Sequence, residues 1–163
     1  MYFSQFTVLI AAILLFTACT EPTDPKIAFE KGDYETALRL WLERAEQDDP
    51  EAQNYLGIQY YLGLGVNRDY RQAQQWYELS ATNGYANAQR NLGQLYESGK
   101  LGARDFEKAY IWLFAAYQQG NSHAGSTLAT LVNKLSPNNK RLLKKKARQF
   151  ILNDVVDPED DDY

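Results

Sequence analysis

Residues 49–84 read DPEAQNYLGIQYYLGLGVNRDYRQAQQWYELSATNG, and their spacing decides the fold. Ala52, Leu56 and Tyr60 recur every four residues, as do Ala73, Tyr77 and Ala81, with Trp76 one place away on the same face; this is helical spacing. Gly63 ends the first run. Asp69 stands where an N-cap carboxylate would take the free amide hydrogens of the second helix, and Gly84 follows its last turn, where φ can turn positive. The stretch predicts a helical hairpin with one apolar face.

The pattern returns at an offset of 36 residues. Asp33, Asp69 and Asp105 fall in register, as do Tyr34, Tyr70 and Phe106; Ala37, Ala73 and Ala109; Ala52, Ala88 and Ala124; and Leu56, Leu92 and Leu128. Gly57 pairs with Gly93, Tyr60 with Tyr96, Gly63 with Gly99 and Arg68 with Arg104. Asp33–Arg68 laid on Asp69–Arg104 gives 11 identities in 36, where background composition gives roughly two. A hairpin cannot bury its apolar face alone, so such units must stack. The chain holds a leading half unit (Gly32–Gln47), two full units, and a closing first helix near Ser122–Lys134. Ser136-Pro137 then opens a last helix, with Ser136 as cap and Pro137 at its first position. The copies differ in two places. Asp48-Asp49-Pro50 replaces the helix-ending glycine of the first unit, so a different bend is expected there. In Gly99-Lys100-Leu101-Gly102-Ala103 the second glycine stands one place later than Gly65 does in the preceding copy.

Ala52, Leu56-Gly57, Tyr60, Gly63-Leu64-Gly65-Val66, Asp69, Ala73, Trp76-Tyr77, Ala81 and Gly84 together resemble the Sel1-like repeat, a relative of the tetratricopeptide repeat. Ala88, Leu92-Gly93, Tyr96, Gly99, Asp105, Ala109, Trp112, Ala116 and Gly120 meet the same pattern again. The resemblance implies an all-α, right-handed α-solenoid of antiparallel helical hairpins over residues 27–135, with a C-terminal capping helix at 136–152. It also implies that the first helix of each hairpin lines a concave binding side.

The first segment reads as an address. From Met1 to Thr20 no side chain is charged, and Phe6–Ala18 is apolar except for Thr7 and Thr17. Thirteen residues reach roughly 20 Å, short of the roughly 30 Å hydrocarbon core, which fits a signal-peptide core over residues 1–18. Leu15-Phe16-Thr17-Ala18-Cys19 resembles the lipobox of bacterial lipoproteins, with Phe16 where that motif usually has Leu. The resemblance implies cleavage after Ala18, lipidation of Cys19, and periplasmic exposure on the outer membrane. An ordinary signal peptide or an uncleaved anchor is the alternative. Residues 19–26 then form a short tether, extended from Glu21 to Pro25 because proline disfavours helix in the residue before it.

Composition narrows the chemistry. Of 163 residues, 45% are hydrophobic and 23% charged, and 17 Lys and Arg against 21 Asp and Glu leave a net charge of -4. No whole-chain basic field exists to draw in nucleic acid. One Cys and one His exclude an internal disulfide and leave nothing for a His/Cys metal cage. Gly63-x-Gly65 follows a helix and lacks a third glycine, so it reads as a repeat turn rather than a phosphate loop. His123 reads as a solvated surface residue. No catalytic residue, metal ligand or cofactor site stands out, and the chain reads as non-enzymatic; a pair of catalytic carboxylates stays open, with nothing to single one out.

Lys140, Arg141, Lys144, Lys145, Lys146 and Arg148 put six cations on the last helix, while Leu143, Ala147 and Phe150 fall at i, i+4 and i+7. This predicts an amphipathic cap for the open end of the solenoid, with contact to anionic lipid as the alternative. The acidic residues 153–163 that follow read as a solvated, disordered tail.

The face of the first helices opposite Ala52, Leu56 and Tyr60 carries Asn54, Ile58 and Tyr61, then Arg90, Gln94 and Glu97, then Ser126, Thr130 and Asn133. Packing positions repeat between copies whereas these change, as a partner-specific or an unconstrained solvent face would. Ile58 and Tyr61 beside Arg90 match the mixture found at interaction hot spots. Asn54, Ile58, Tyr61, Arg90, Gln94 and Glu97 are therefore the candidate protein-binding residues. Two functions fit: an envelope adaptor that binds a resident partner protein, or, by resemblance to some short lipoproteins, a periplasmic immunity protein that inhibits an incoming antibacterial effector.

Overall fold

The computed structural model describes residues 23–153. Cys19, the signal segment and the acidic tail lie outside the described residues. Eight α-helices and no strand occur among them: α1 Pro25–Glu30, α2 Tyr34–Ala45, α3 Pro50–Leu62, α4 Tyr70–Thr82, α5 Ala86–Ser98, α6 Phe106–Gln118, α7 Ser122–Asn133 and α8 Pro137–Asn153. Helices α3 and α4 form one antiparallel hairpin and α5 and α6 the next, each stacked on its neighbours in chain order.

The sequence sets the helix starts through its acids. Asp69 Oδ1 accepts from the amides of Arg71 and Gln72 at 2.8 and 3.1 Å, and Asp105 Oδ1 accepts from Lys108 at 2.9 Å. Asp33, Asp49 and Asn121 cap α2, α3 and α7 in the same way. Tyr85 opens α5 without a side-chain cap. The tether is shorter than expected: Asp24 caps α1, whose first residue Pro25 is buried, so helix begins where extended chain was read. A proline in the first helical turn loses no hydrogen bond, because that amide is unpaired anyway.

The Asp48 junction corrects a second expectation. Asp48 takes φ +59°, against +77° at Gly84 and +83° at Gly120. Its amide donates to the Ala45 carbonyl at 3.1 Å, and the Asp49 amide to Arg44 at 3.3 Å. Gly84 and Tyr85 make the same two bonds to Ala81 and Ser80, and Gly120 and Asn121 to Tyr117 and Ala116. The three turns are alike, because aspartate tolerates the left-handed region that glycine adopts freely.

Two apolar clusters form the interior. Trp41 from α2 stacks on Tyr55 at 4.4 Å and packs with Ala28, Ala37, Ala52 and Leu56. The larger cluster runs from Ala73 through Leu92, Leu113 and Leu131 to Leu143 and Ala147 of α8. Thus α8 does cap the stack, lying across α6 with Phe150 edge-on to Trp112 and Lys146 bonded to Glu107. The Gly63–Gly65 turn has a structural task. At Gly65, φ +69°, an added Cβ would lie 2.5 Å from the Tyr34 carbonyl oxygen, so the loop closes directly onto the start of α2.

Candidate protein-binding face

Helices α3 and α5 carry all six candidate residues, and the hollows between them lie on this face. Ile58 and Tyr61 from α3 meet Arg90 and Gln94 from α5 around a hollow of about 260 Å³, with Leu62, Asn91 and the α4 residue Tyr77 completing the lining. A second hollow of about 300 Å³ adjoins it, sharing Ile58, Arg90 and Asn91 and adding Asn54, Tyr55, Tyr85, Asn87 and His123. Five of the six expected residues therefore line one continuous depression. Glu97 is held aside, its carboxylate 2.7 Å from the Lys134 ammonium of the next inter-helix turn.

Asn54 is placed differently from the expectation of a solvent-facing stripe: it is 3% exposed. Its Oδ1 accepts from Asn91 Nδ2 at 2.9 Å, and Asn91 Oδ1 in turn accepts from Arg90 Nη2 at 2.9 Å. The reason is architectural. In a stack, the side of α3 turned away from its own hairpin partner is partly covered by α5 of the following unit. Asn54 is thus a strut under the site rather than a contact surface. Ile58, Tyr61 and Arg90 are half-buried, and Gln94 is exposed at the rim, 3.4 Å from Thr127 Oγ1.

The polar chain leaves Arg90 incompletely used. Its Nε is enclosed and has no hydrogen-bond partner, and no Asp or Glu lines either hollow. Tyr61 stacks edge-on to Tyr70 at 5.4 Å and accepts a 2.6 Å bond from Lys100, whose ammonium also lies 4.1 Å from its ring centre. Those contacts fix Tyr61 in place. Below it, burial pushes the Tyr77 phenol well above its ordinary range, keeping a neutral hydroxyl at the floor.

Several residues of the face escaped the sequence reading. Asn91, Tyr77, Tyr55 and Tyr85 carry core-like or polar types with no distinguishing pattern. His123 is exposed as expected, yet it lies on the rim of the second hollow. Missed too were the buried amides: Gln53 and Gln89, 36 apart, each donate to the carbonyl eight residues earlier, Ala45 and Ala81. Their carbonyl oxygens accept from Asn83 and Gln119 of the next turn. The repetition of Gln at one repeat position was the available signal. A larger hollow of about 560 Å³ lies elsewhere, among Gly84, Gln89, Gln118, Gln119 and Phe150 at the seam between α8 and the helix turns. Among the described residues no group of three or more His, Cys, Asp or Glu is placed to hold a metal ion. No described helix is long and apolar enough to cross a membrane.

The family model described as Sel1 repeat matches residues 50–85 and 86–121, which are α3–α4 and α5–α6 with their loops. These two units are similar to the Sel1 repeat. The sel1-like repeat-containing protein L21 of Acanthamoeba polyphaga mimivirus is 33% identical over 103 residues, covering 63% of this chain and 19% of its own. The ERAD-associated E3 ubiquitin-protein ligase component HRD3A of Arabidopsis thaliana is 34% identical over 71 residues, 44% of this chain and 10% of its own. Among solved structures, a Sel1 repeat protein from Oxalobacter formigenes superposes with a TM-score of 0.63 at 32% identity, over 68% of this chain and 45% of that one. The protective antigen c5321 of uropathogenic Escherichia coli gives 0.61 at 29%, over 71% and 26%. The chain spans less than half the length of each, so the likeness describes a repeat array and its fold.

Proposed function

We propose that this chain is a non-catalytic protein–protein interaction module of the bacterial cell envelope, anchored through lipidated Cys19 and binding a partner protein on the face of α3, α5 and α7. The observation that carries the interaction reading is the paired hollow between α3 and α5, where apolar Ile58 and Tyr61 stand beside Arg90 with an unspent donor. Stacked-repeat proteins use such extended faces for binding, and Arg with aromatic neighbours is the composition of binding hot spots. The apolar run ending in Leu15-Phe16-Thr17-Ala18-Cys19 supports the anchor, since diacyl attachment gives stable membrane residence where one chain does not.

The test is capture from gently solubilised envelopes by the lipid-anchored chain, with Ile58→Asp as control. Tyr61 is left intact in that control because its contacts with Tyr70 and Lys100 support the fold. A partner recovered by the native chain and lost with Ile58→Asp, at unchanged helicity, is the expected result. A partner retained by Ile58→Asp refutes the placement. For the anchor, Cys19→Ala should release the chain from the membrane fraction and abolish acyl labelling; unaltered fractionation refutes it.

A further inference from the structure

We infer that the face between α3 and α5 selects a peptide segment carrying an acidic side chain beside a bulky apolar one, with Arg90 receiving the carboxylate. The inference rests on the interaction reading above and names the chemistry of the partner. Arg90 borders both hollows, so whatever fills either one lies against this side chain. That group is always charged and carries five donors in a planar fork. One of its Nη2 hydrogens is spent on Asn91, while Nε is enclosed with no acceptor. Enclosed donors are nearly always satisfied in a native state, so a guanidinium with one donor left unpaired gains from an acceptor that enters beside it and lets the fork re-aim.

Charge selects the acceptor. No carboxylate lines either hollow, and Glu97, the acid further along the same helix face, is engaged by Lys134. Lys100 lies against the Tyr61 ring and hydroxyl, adding a second positive group at the other edge. A chain of net charge -4 therefore presents a locally positive depression, which is complementary to an anion and repels a basic segment. Asn91 is fixed by Asn54, so the side chain that orients the guanidinium is itself held. The apolar half is equally specific: Ile58, Leu62 and the Tyr77 ring bound a space of about 260 Å³, the scale of one large side chain and too small for an extended polyanion. A carboxylate on the Arg90 fork next to an apolar side chain in that space satisfies both halves at once.

A random twelve-residue peptide library displayed on phage and selected on the immobilised full chain provides the test. The expected result is enrichment of sequences with Asp or Glu within two residues of Phe, Leu, Ile or Trp. The leading peptide, made synthetically and measured by fluorescence anisotropy, should bind Arg90→Gln at least tenfold more weakly and Arg90→Lys in between. Replacing its acid by the corresponding amide should cost as much as Arg90→Gln and no more when the two are combined. Far-UV circular dichroism of both variants confirms that folding is kept. Enriched peptides without acids, no enrichment at all, or equal binding by Arg90→Gln overturns the inference. So does binding that appears only after residues 154–163 are deleted, which would make the chain's own acidic tail the occupant. Acid-free peptides that are lost with Ile58→Asp remove the inference while leaving the interaction reading intact, whereas peptides indifferent to both substitutions remove both.

Discussion

The Asp48 turn allows a quantitative test of how strictly the repeat geometry governs this chain. Asp48 is the one described non-glycine residue with positive φ, at a place where the later copies have Gly84 and Gly120. Holding an L-residue there costs about 1–2 kcal/mol in general, and aspartate sits at the low end because its side chain tolerates the region. Its charge also lies just past the C-terminus of α2, where a carboxylate opposes the helix dipole by roughly 0.3–0.5 kcal/mol. Asp48→Gly removes both penalties but loosens the unfolded chain by about 0.4–1 kcal/mol. The net gain is about 0.5 kcal/mol, or roughly 1–3 °C in Tm. Asp48→Asn keeps the conformational tolerance and sheds the charge, so it should gain slightly. Asp48→Ala keeps the Cβ and loses the side chain's tolerance, which outweighs the charge it sheds, so it should lose about 0.5 kcal/mol. Thermal melts followed by far-UV circular dichroism should rank the four proteins Gly, Asn, Asp, Ala. An Ala variant as stable as the Gly variant would refute the argument that this turn is a glycine turn occupied by aspartate.

Two further outcomes follow from local contacts. Gly57→Ala should destabilise by about 1–3 kcal/mol, because the new Cβ would run into the Tyr77 ring carbons; a melt unchanged from native refutes that, and the displaced ring should also weaken partner binding by shifting the lining of the hollow. Asp49 is pushed up by its partial burial, but the amides of Ala52 and Glu51 and the Arg44 guanidinium outweigh this and hold it below the ordinary carboxylate value of 3.8. Its contribution is thus present above that value and is lost as pH falls through the lower folded value. Asp49→Asn keeps a cap but drops the Arg44 pair, for about 0.5–1 kcal/mol near neutrality. Its melt should converge on the native one as acid protonates the native carboxylate, and a gap that does not narrow at all as pH falls below 3.8 refutes the assignment.

Most of the helices were legible because short-range chemistry fixes their ends. Asp69 and Asp105 cap, Gly63 and Gly99 stop, and Ala, Leu and Tyr at spacing four define the faces, so boundaries follow from neighbours in sequence. The short α1 was not legible, since Asp24-Pro25 reads equally as an extended pair or as a cap with a first-turn proline, and only burial of Pro25 and Ala28 against α2 decides between them. The candidate face was legible only as one side of two helices: Asn54 is buried within it and Glu97 is turned to Lys134. On α3 taken alone, Asn54 lies between Ile58 and Tyr61 on the side away from the hairpin, and nothing within that helix reports that α5 covers it. Long-range packing between hairpins carries that information.

This distinction sharpens what variation between copies means. Positions that change from unit to unit are not all exposed. Position 59 changes from Gln to Leu at 95, yet both are buried: Gln59 donates to the Tyr34 and Leu64 carbonyls at 2.8 and 3.2 Å, tying the loop to the leading half unit, while Leu95 enters the larger cluster. Asn54 and Glu97 likewise answer to Asn91 and Lys134. Their variation is explained by different neighbours inside the chain. Ile58 offers an apolar surface to two hollows, and Arg90 holds a donor with no acceptor. The candidate for recognition is therefore not the variable stripe as a whole but the part of it that the stacking of the repeats leaves unsatisfied.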